Sequence, residues 1–319
     1  MQYGQLPGIE KPISRVVQGT IMISPSALEQ SFVLLDEVFA TGCNTFDTAR
    51  IYNRGDSEIA LGRWIKERGV RDRVVVISKG AHPRDGRNRV TPEDITDDIL
   101  ASLENMGLDF IDLYLLHRDD PAVSVGPIVE VLNEHRSAGR IGAFGGSNWS
   151  HERIAAANGY AKKCGLIPFA ATSPYFSLAQ WAQAPWPGCI TLSGQSGSAA
   201  REWYTRTQLP VFTWSSLAGG FFSGRFTRDN LNSFEDPMDK VCVASYCIEE
   251  NFQRLERLQV LAQDIGVSLT QAALAYVMSQ PMNIFALVGC RTGDEFRAIA
   301  SALEVALTPE ECVWLESGD

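Results

Sequence analysis

Residues 109–147 read DFIDLYLLHRDDPAVSVGPIVEVLNEHRSAGRIGAFGGS. An apolar run, Phe110–His117, gives way to a polar turn, then to an amphipathic stretch, Pro127–Ala138, and then to a second apolar run, Ile141–Ser147. The runs have strand length and are bounded by turn residues, whereas the middle segment has the length and pattern of a helix with one apolar face. Strand, helix, strand in that order is the unit of a parallel sheet, because two strands can run the same way only if a crossover element joins them.

The same alternation extends outward over the chain. Further apolar runs occur at Val16–Met22, Asn44–Ala49, Arg73–Lys79, Phe169–Tyr175, Val211–Ser215 and Ile284–Gly289. Amphipathic stretches stand between them at Ser26–Thr41, Ser57–Arg68, Pro92–Met106, Ser150–Cys164, Glu250–Ile265 and Leu269–Ser279. Several open with helix-start chemistry. Thr91 precedes Pro92, with Glu93 and Asp94 in the first turn. Ser268 with Gln271, and Thr292 with Glu295, have the spacing of a capping box. Eight repeats and no Pro/Gly/Ser-rich linker predict one α/β domain over residues 1–319, a closed (β/α)8 TIM barrel. The rhythm breaks once, at Gln180–Gln208, which carries Trp181, Trp186, Pro185, Pro187 and Gly188. That is too long for a simple connection and predicts a loop insertion at about 179–208, with a short helix, over the barrel mouth.

The composition suits a large self-sufficient core, with 45% hydrophobic residues, and the formal charge of −10 disfavours a nucleic-acid or anionic-membrane partner. Seven cysteines stand singly, without a Cys-x-x-Cys, which argues against a disulfide framework or a zinc site and for a reducing, cytoplasmic setting. The N-terminal residues lack the pattern of a signal peptide, and no apolar stretch has the length of a membrane span.

Barrel enzymes gather their chemistry where the strands end. Asp47 ends the second predicted strand, Lys79 the third, His117 the fourth, Ser147 and Asn148 the fifth, and Trp214 and Ser215 the seventh; Tyr52 lies just beyond Asp47. Together they suit reduction of a carbonyl, which needs a hydride at carbon and a proton at oxygen. A tyrosine hydroxyl, with a reference pKa near ~10, is a poor acid unless its anion is stabilised, and a buried lysine ammonium does that. Asp47 would hold Lys79 in place and charged, and His117 would hydrogen-bond the carbonyl oxygen or the phenol. Arg118 either faces the mouth, favouring a polar or acidic substrate, or pairs with Asp119 or Asp120. Trp181, Trp186 and Trp203 either line a pocket or pack the long loop. His82, His135 and His151 read as surface residues, and Gly194–Gly197 as a loop entering a helix. Four histidines without ligand spacing speak against a metal-dependent hydrolase, so no metal is expected.

These residues resemble the aldo-keto reductase family. Gly42-Cys43-Asn44-Thr45-Phe46-Asp47-Thr48-Ala49-Arg50-Ile51-Tyr52, followed by Gly55 and Ser57-Glu58, matches that family's most diagnostic segment. Asp109–His117 matches its histidine strand, Ile77-Ser78-Lys79 its lysine strand, and Gly139-Arg140-Ile141-Gly142 leads into Ser147-Asn148 as the family does. The resemblance covers nearly the whole chain. It implies Tyr52 as general acid with Asp47, Lys79 and His117 as partners, a small-molecule carbonyl substrate, and a nicotinamide cofactor lying across the mouth. It further implies that Ser147 and Asn148 hold the carboxamide, with Asp47, Gly19 and Thr20 nearby, and that Trp214 stacks on the nicotinamide. Ser215, Ser216, Leu217, Gly219, Gly220, Phe221, Ser223 and Gly224 would wrap the pyrophosphate, and Gly289, Arg291 and Glu295 would meet the adenosine ribose.

The chain departs from that pattern in three places. Ser173 stands where a glutamine usually binds the carboxamide, and Ile299 where an asparagine often meets the adenine. Glu295 repels a 2′-phosphate and favours NAD(H), whereas Arg291 favours NADP(H). The resemblance tips the expectation toward NADP(H), with NAD(H) as the alternative. A second role consistent with these weakened contacts is a catalytically weak binding protein of the same fold that senses its cofactor.

Overall fold

The computed structural model describes residues 1–319. Ten strands form, in chain order, β1 (Tyr3–Leu6), β2 (Ile9–Ser14), β3 (Val16–Gly19), β4 (Thr45–Asp47), β5 (Val75–Gly80), β6 (Ile111–Leu116), β7 (Ile141–Ser147), β8 (Ala171–Ser173), β9 (Val211–Thr213) and β10 (Ile284–Val288). Strands β3 to β10 pair in sequence, all parallel, and β10 closes back on β3 as a barrel. Each of the eight apolar runs overlaps one barrel strand. Helices cover the outside, and their starts follow the local chemistry. Thr91 caps Pro92–Met106 by accepting from the Asp94 amide, and Ser268 and Gln271 close a reciprocal capping box on Leu269–Met278. At Thr292 only half of the expected box forms. Thr292 accepts from the Glu295 amide, but the Glu295 carboxylate accepts from the Arg291 amide instead of from Thr292.

A strand turns alternate side chains to opposite faces, so each barrel strand feeds two cores. Val75, Ile77, Leu113, Leu115, Phe212, Phe285 and Leu287 fill the barrel, whereas Val74, Val76, Tyr114, Leu116, Ala286 and Val288 pack beneath the helices. The lower end is closed by β1 and β2, an antiparallel hairpin that the apolar pattern does not announce. Leu6, Ile9 and Ile13 join the barrel interior, and Phe212 and Phe285 stack on each other at 4.7 Å. Polar bonds bolt the hairpin on. The Ser14 amide donates to Asn44 Oδ1 (3.1 Å) and Asn44 Nδ2 to the Pro12 carbonyl (2.6 Å). The Arg15 guanidinium lies 4.4 Å from the Phe285 ring centroid and donates to the Ile284 carbonyl.

The long segment after β8 divides in two. Its second half is the helix Ser198–Thr207, an ordinary member of the outer ring packed against His151–Cys164. Its first half lies over the mouth, pinned by the Ala182 amide to the Ser245 carbonyl (2.8 Å) and by Gln180 to Asn251. No single helix is long and apolar enough to cross a membrane.

The hairpin plug should be energetically coupled to the barrel. Leu6→Ala removes a side chain that is 2% exposed. Urea unfolding should show a loss of about 2–5 kcal/mol, whereas Glu10→Ala on the exposed face of the hairpin should change stability by less than about 0.5 kcal/mol.

Candidate active site

One step above the last apolar layer, the inward phase of the strands continues with polar residues. Lys79 follows Val75 and Ile77, His117 follows Leu113 and Leu115, Ser173 follows Ala171, and Trp214 follows Phe212. Parallel register keeps the strand ends level, pairing Asp47 with Gly19 and with Ile77, Lys79 with Leu115, and Ser147 with Ser173. Residues far apart in the chain thereby meet in one ring at the mouth.

Asp47 and Lys79 are each 2% exposed. The Lys79 ammonium lies 2.6 and 2.7 Å from the two Asp47 carboxylate oxygens, donates to the Thr48 carbonyl at 3.0 Å, and reaches Tyr52 Oη at 3.2 Å. Burial alone would lower the Lys79 pKa, but the Asp47 carboxylate and Tyr52 hold it above the ordinary value, so the pair is ionic. Burial pushes the Tyr52 hydroxyl upward, and Lys79 pulls it part of the way back. Tyr52 is positioned by a tight turn in which Asn53 (φ 47°) and Arg54 (φ 59°) are left-handed, with Asn53 Nδ2 donating to the Ile21 carbonyl.

His117 meets the Tyr52 ring edge-on at 5.9 Å. Burial, then the charges of Lys79 and Arg118, hold its pKa well below the usual histidine range, so the ring is neutral. His117 Nδ1 is buried without a partner, which leaves Nε2 to face the mouth. His82 is not the surface residue its sequence context suggests. It is half-buried 5.0 Å from the His117 ring, because its strand carries it onto the same rim. His135 is buried too, between Thr96 and Arg140, where it bridges two outer helices.

The expected cofactor residues fall along one arc of the rim. Ser147 Oγ donates to the Ser173 carbonyl (2.9 Å), and Asn148, left-handed at φ 59°, donates to Ser147 Oγ and to the His117 carbonyl. Its Oδ1 accepts from Trp214 Nε1 at 3.2 Å. Trp214 is flanked by Trp186 at 5.8 Å and Trp181 at 6.3 Å, whereas Trp203 lies outside the mouth against His151. The segment 215–224 contains left-handed residues at Ser215, Ala218, Gly219 and Gly220. Gly219 and Gly220 turn the chain where a side chain would be strained. Ser216 Oγ bonds Thr213, Thr20 Oγ1 bonds the Asp47 carbonyl, and the Phe221 ring is buried, so these three offer a ligand chiefly their backbone. Leu217 and Gly224 are half-buried and Ser223 is exposed.

Two residues absent from the sequence-based site lie against its expected far end. Arg225 lies beside Gly220, stacked on Phe226 and paired with Asp239. Glu37, from the helix Leu28–Ala40, accepts from the Gly293 amide at 2.9 Å, and only a glycine admits it, since a Cβ there would lie 2.4 Å from the Glu37 Cβ. Glu295 meanwhile accepts from the Arg291 amide at 2.7 Å. The helix start beside Gly289 and Arg291 thus carries the chain's own carboxylates, with Ile299 half-buried on the same helix. A glycine within a helix start, preceded by a capping threonine, was the one local signal for such a close approach.

Comparison with known proteins agrees with this layout. The family model described as "Aldo/keto reductase family" matches residues 15–317. An oxidoreductase of Bacillus subtilis is 26% identical over 97% of this chain and 93% of its own length. A probable aryl-alcohol dehydrogenase of Saccharomyces cerevisiae is 26% identical over 91% of this chain and 87% of its own. Norsolorinic acid reductase B of Aspergillus parasiticus is 27% identical over 93% and 76%.

The Asp47–Lys79 pair is open to test by unfolding. Asp47→Asn leaves a buried ammonium without its countercharge and should reduce stability in urea by about 3–5 kcal/mol, and adding Lys79→Met should recover part of the loss.

Proposed function

The chain belongs to the aldo/keto reductase family, and from that premise we propose that it is a nicotinamide-dependent reductase of aldehydes or ketones, with Tyr52 as its proton donor. The observation that carries this reading is the Lys79 ammonium, bonded at once to Asp47 and to Tyr52 Oη beneath a neutral His117. A charged lysine against a phenol favours the phenolate left behind when the proton departs. Asp47 keeps that lysine charged inside the protein. His117, carrying its proton on Nε2, would donate to the carbonyl oxygen and hold it beside Tyr52 Oη, a role that suits an unpartnered Nδ1 without a hydrogen. In the reverse direction the same phenolate accepts the alcohol's proton.

The residues also fit a nicotinamide. Ser173 Oγ is buried without a partner beside Ser147 and Asn148, so the three would present donors and acceptors to a carboxamide, with Trp214 as the stacking surface. The turn around Gly219 and Gly220 would hold the pyrophosphate through backbone amides. When bound, the reduced cofactor supplies the hydride. The aromatic wall of Trp181, Trp186 and Trp214 favours flat carbonyl substrates, in keeping with an aryl-alcohol dehydrogenase among the relatives. The complete set of Asp47, Tyr52, Lys79 and His117 supports catalysis over a purely cofactor-sensing role.

Tyr52→Phe should lower turnover of aromatic aldehydes by at least about 10²-fold while nicotinamide binding, followed by fluorescence titration, stays near wild type. Retained turnover would refute Tyr52 as the donor. The pH profiles carry the sign of the Tyr52 shift. Its pKa is raised, so aldehyde reduction, which needs the phenol, should hold through the ordinary tyrosine range and fall only above it. Alcohol oxidation, which needs the phenolate, should climb over the same interval. Lys79→Met should displace both profiles to higher pH.

At the adenosine end the carboxylates of Glu37 and Glu295 already occupy two amides at the start of the helix Gly293–Ala300, while Asp294 is paired with Arg297. A 2′-phosphate there would meet negative charge, and Arg225 is committed to Asp239. This arrangement supports NAD(H), whereas the sequence reading tips toward NADP(H). Wild type should bind NADH more tightly than NADPH in parallel titrations, and Glu37→Gln combined with Glu295→Gln should narrow the gap by about 10-fold. A wild-type preference for NADPH would reject this assignment.

A further inference from the structure

Arg118 follows His117 at the rim and is 6% exposed. A buried guanidinium normally has a carboxylate against it, as Arg89 has Asp94 and Asp98, each at 2.9 Å. Arg118 forms no ion pair. Of the two acids beside it in sequence, Asp119 is taken by Arg153 at 3.0 Å, and Asp120 Oδ1 accepts from the Ala122 amide. What Arg118 touches is neutral. Its Nε donates to the Pro187 carbonyl at 3.0 Å, and one terminal nitrogen to the His117 carbonyl at 2.8 Å. Those two bonds use two of its five N–H groups and leave the second terminal nitrogen without a protein partner, so N–H donors remain for an anionic acceptor.

The surroundings place Arg118 among the groups of the mouth. Arg118 is close enough for its charge to act on Tyr52, His82 and His117. Gly188, left-handed at φ 71°, lays the mouth loop directly over the Arg118 stem, where a Cβ would lie 3.2 Å from Cδ. The same loop brings Trp186 to Trp214. The other buried cation of the mouth, Lys79, is neutralised by Asp47, so Arg118 supplies the one uncompensated charge.

Building on the reductase reading, we propose that the substrate is a carbonyl compound bearing a carboxylate, which Arg118 receives while the carbonyl lies at Tyr52 and His117. A carboxylate matches the remaining donors of the planar guanidinium, and the tryptophan wall suits an aromatic ring between the two groups. The anion would supply the countercharge that the chain withholds from Arg118.

The test compares benzaldehyde with the ring isomers of carboxybenzaldehyde as substrates, and benzoate with benzamide as inhibitors. Wild type should favour at least one carboxylated isomer, and benzoate should compete better than benzamide. Arg118→Met should lower the kcat/KM ratio of the preferred isomer to benzaldehyde by about 100-fold, mostly through KM, and Arg118→Lys should restore part of it. A purely structural role, fastening the loop through Pro187, would lower both substrates together and leave the ratio unmoved, which overturns the proposal. Equal inhibition of wild type by benzoate and benzamide overturns it as well, whether or not the methionine variant folds. If wild type reduces no aldehyde with either nicotinamide, the reductase reading fails on its own. Benzoate quenching of tryptophan fluorescence that is lost in Arg118→Met would then still uphold the anion site, and its absence from wild type would refute it.

Discussion

Everything at the mouth depends on the phase of the barrel strands. A strand that places Ile77 or Leu115 inside must place the residue two positions on inside as well. The barrel leaves that residue no choice of face, so the layer above the last aliphatic side chains consists of whatever the sequence supplies there: Lys79, His117, Ser173 and Trp214. A slip of one residue in β5 would drive Lys79 under the helices and bring Ser78 to the mouth, breaking the contact with Asp47. Packing of the aliphatic core and placement of the charged pair are thus one constraint acting at two heights.

The same constraint makes much of the mouth legible in the sequence. The barrel strands are apolar, short and regularly spaced, and several carry at or just past their ends a polar residue whose inward position follows from counting. Asp47, Lys79 and His117 converge for that reason, and the turn at Asn53 and Arg54 brings Tyr52 to them. The hairpin of β1 and β2 escaped notice because its strands mix Gly, Gln, Glu, Lys and Pro with only three plug residues, Leu6, Ile9 and Ile13. Its stability comes from the hole it fills, which no local pattern encodes.

The polar misreadings share a cause. His135 and His82 look like surface residues in their own segments, and only their partners, Thr96 and Arg140 in one case and His117 in the other, explain their burial. Glu37 lies 256 residues from the amide it caps. Arg118 shows the reverse. Two neighbouring acids in sequence suggest pairing, yet the chain turns them toward Arg153 and a local amide. Sequence proximity is a poor guide to which charges neutralise each other, because a loop can point successive side chains in unrelated directions.

The hairpin has a further consequence for traffic. By stopping the lower end of the barrel with Leu6, Ile9 and Ile13, it leaves the rim as the sole passage to the buried charges. Any molecule bound there must use that opening, already narrowed on one side by Trp181 and Trp186. In a vessel with one door, whatever sits deepest has to arrive first and leave last, so the plug at one end sets the order of events at the other.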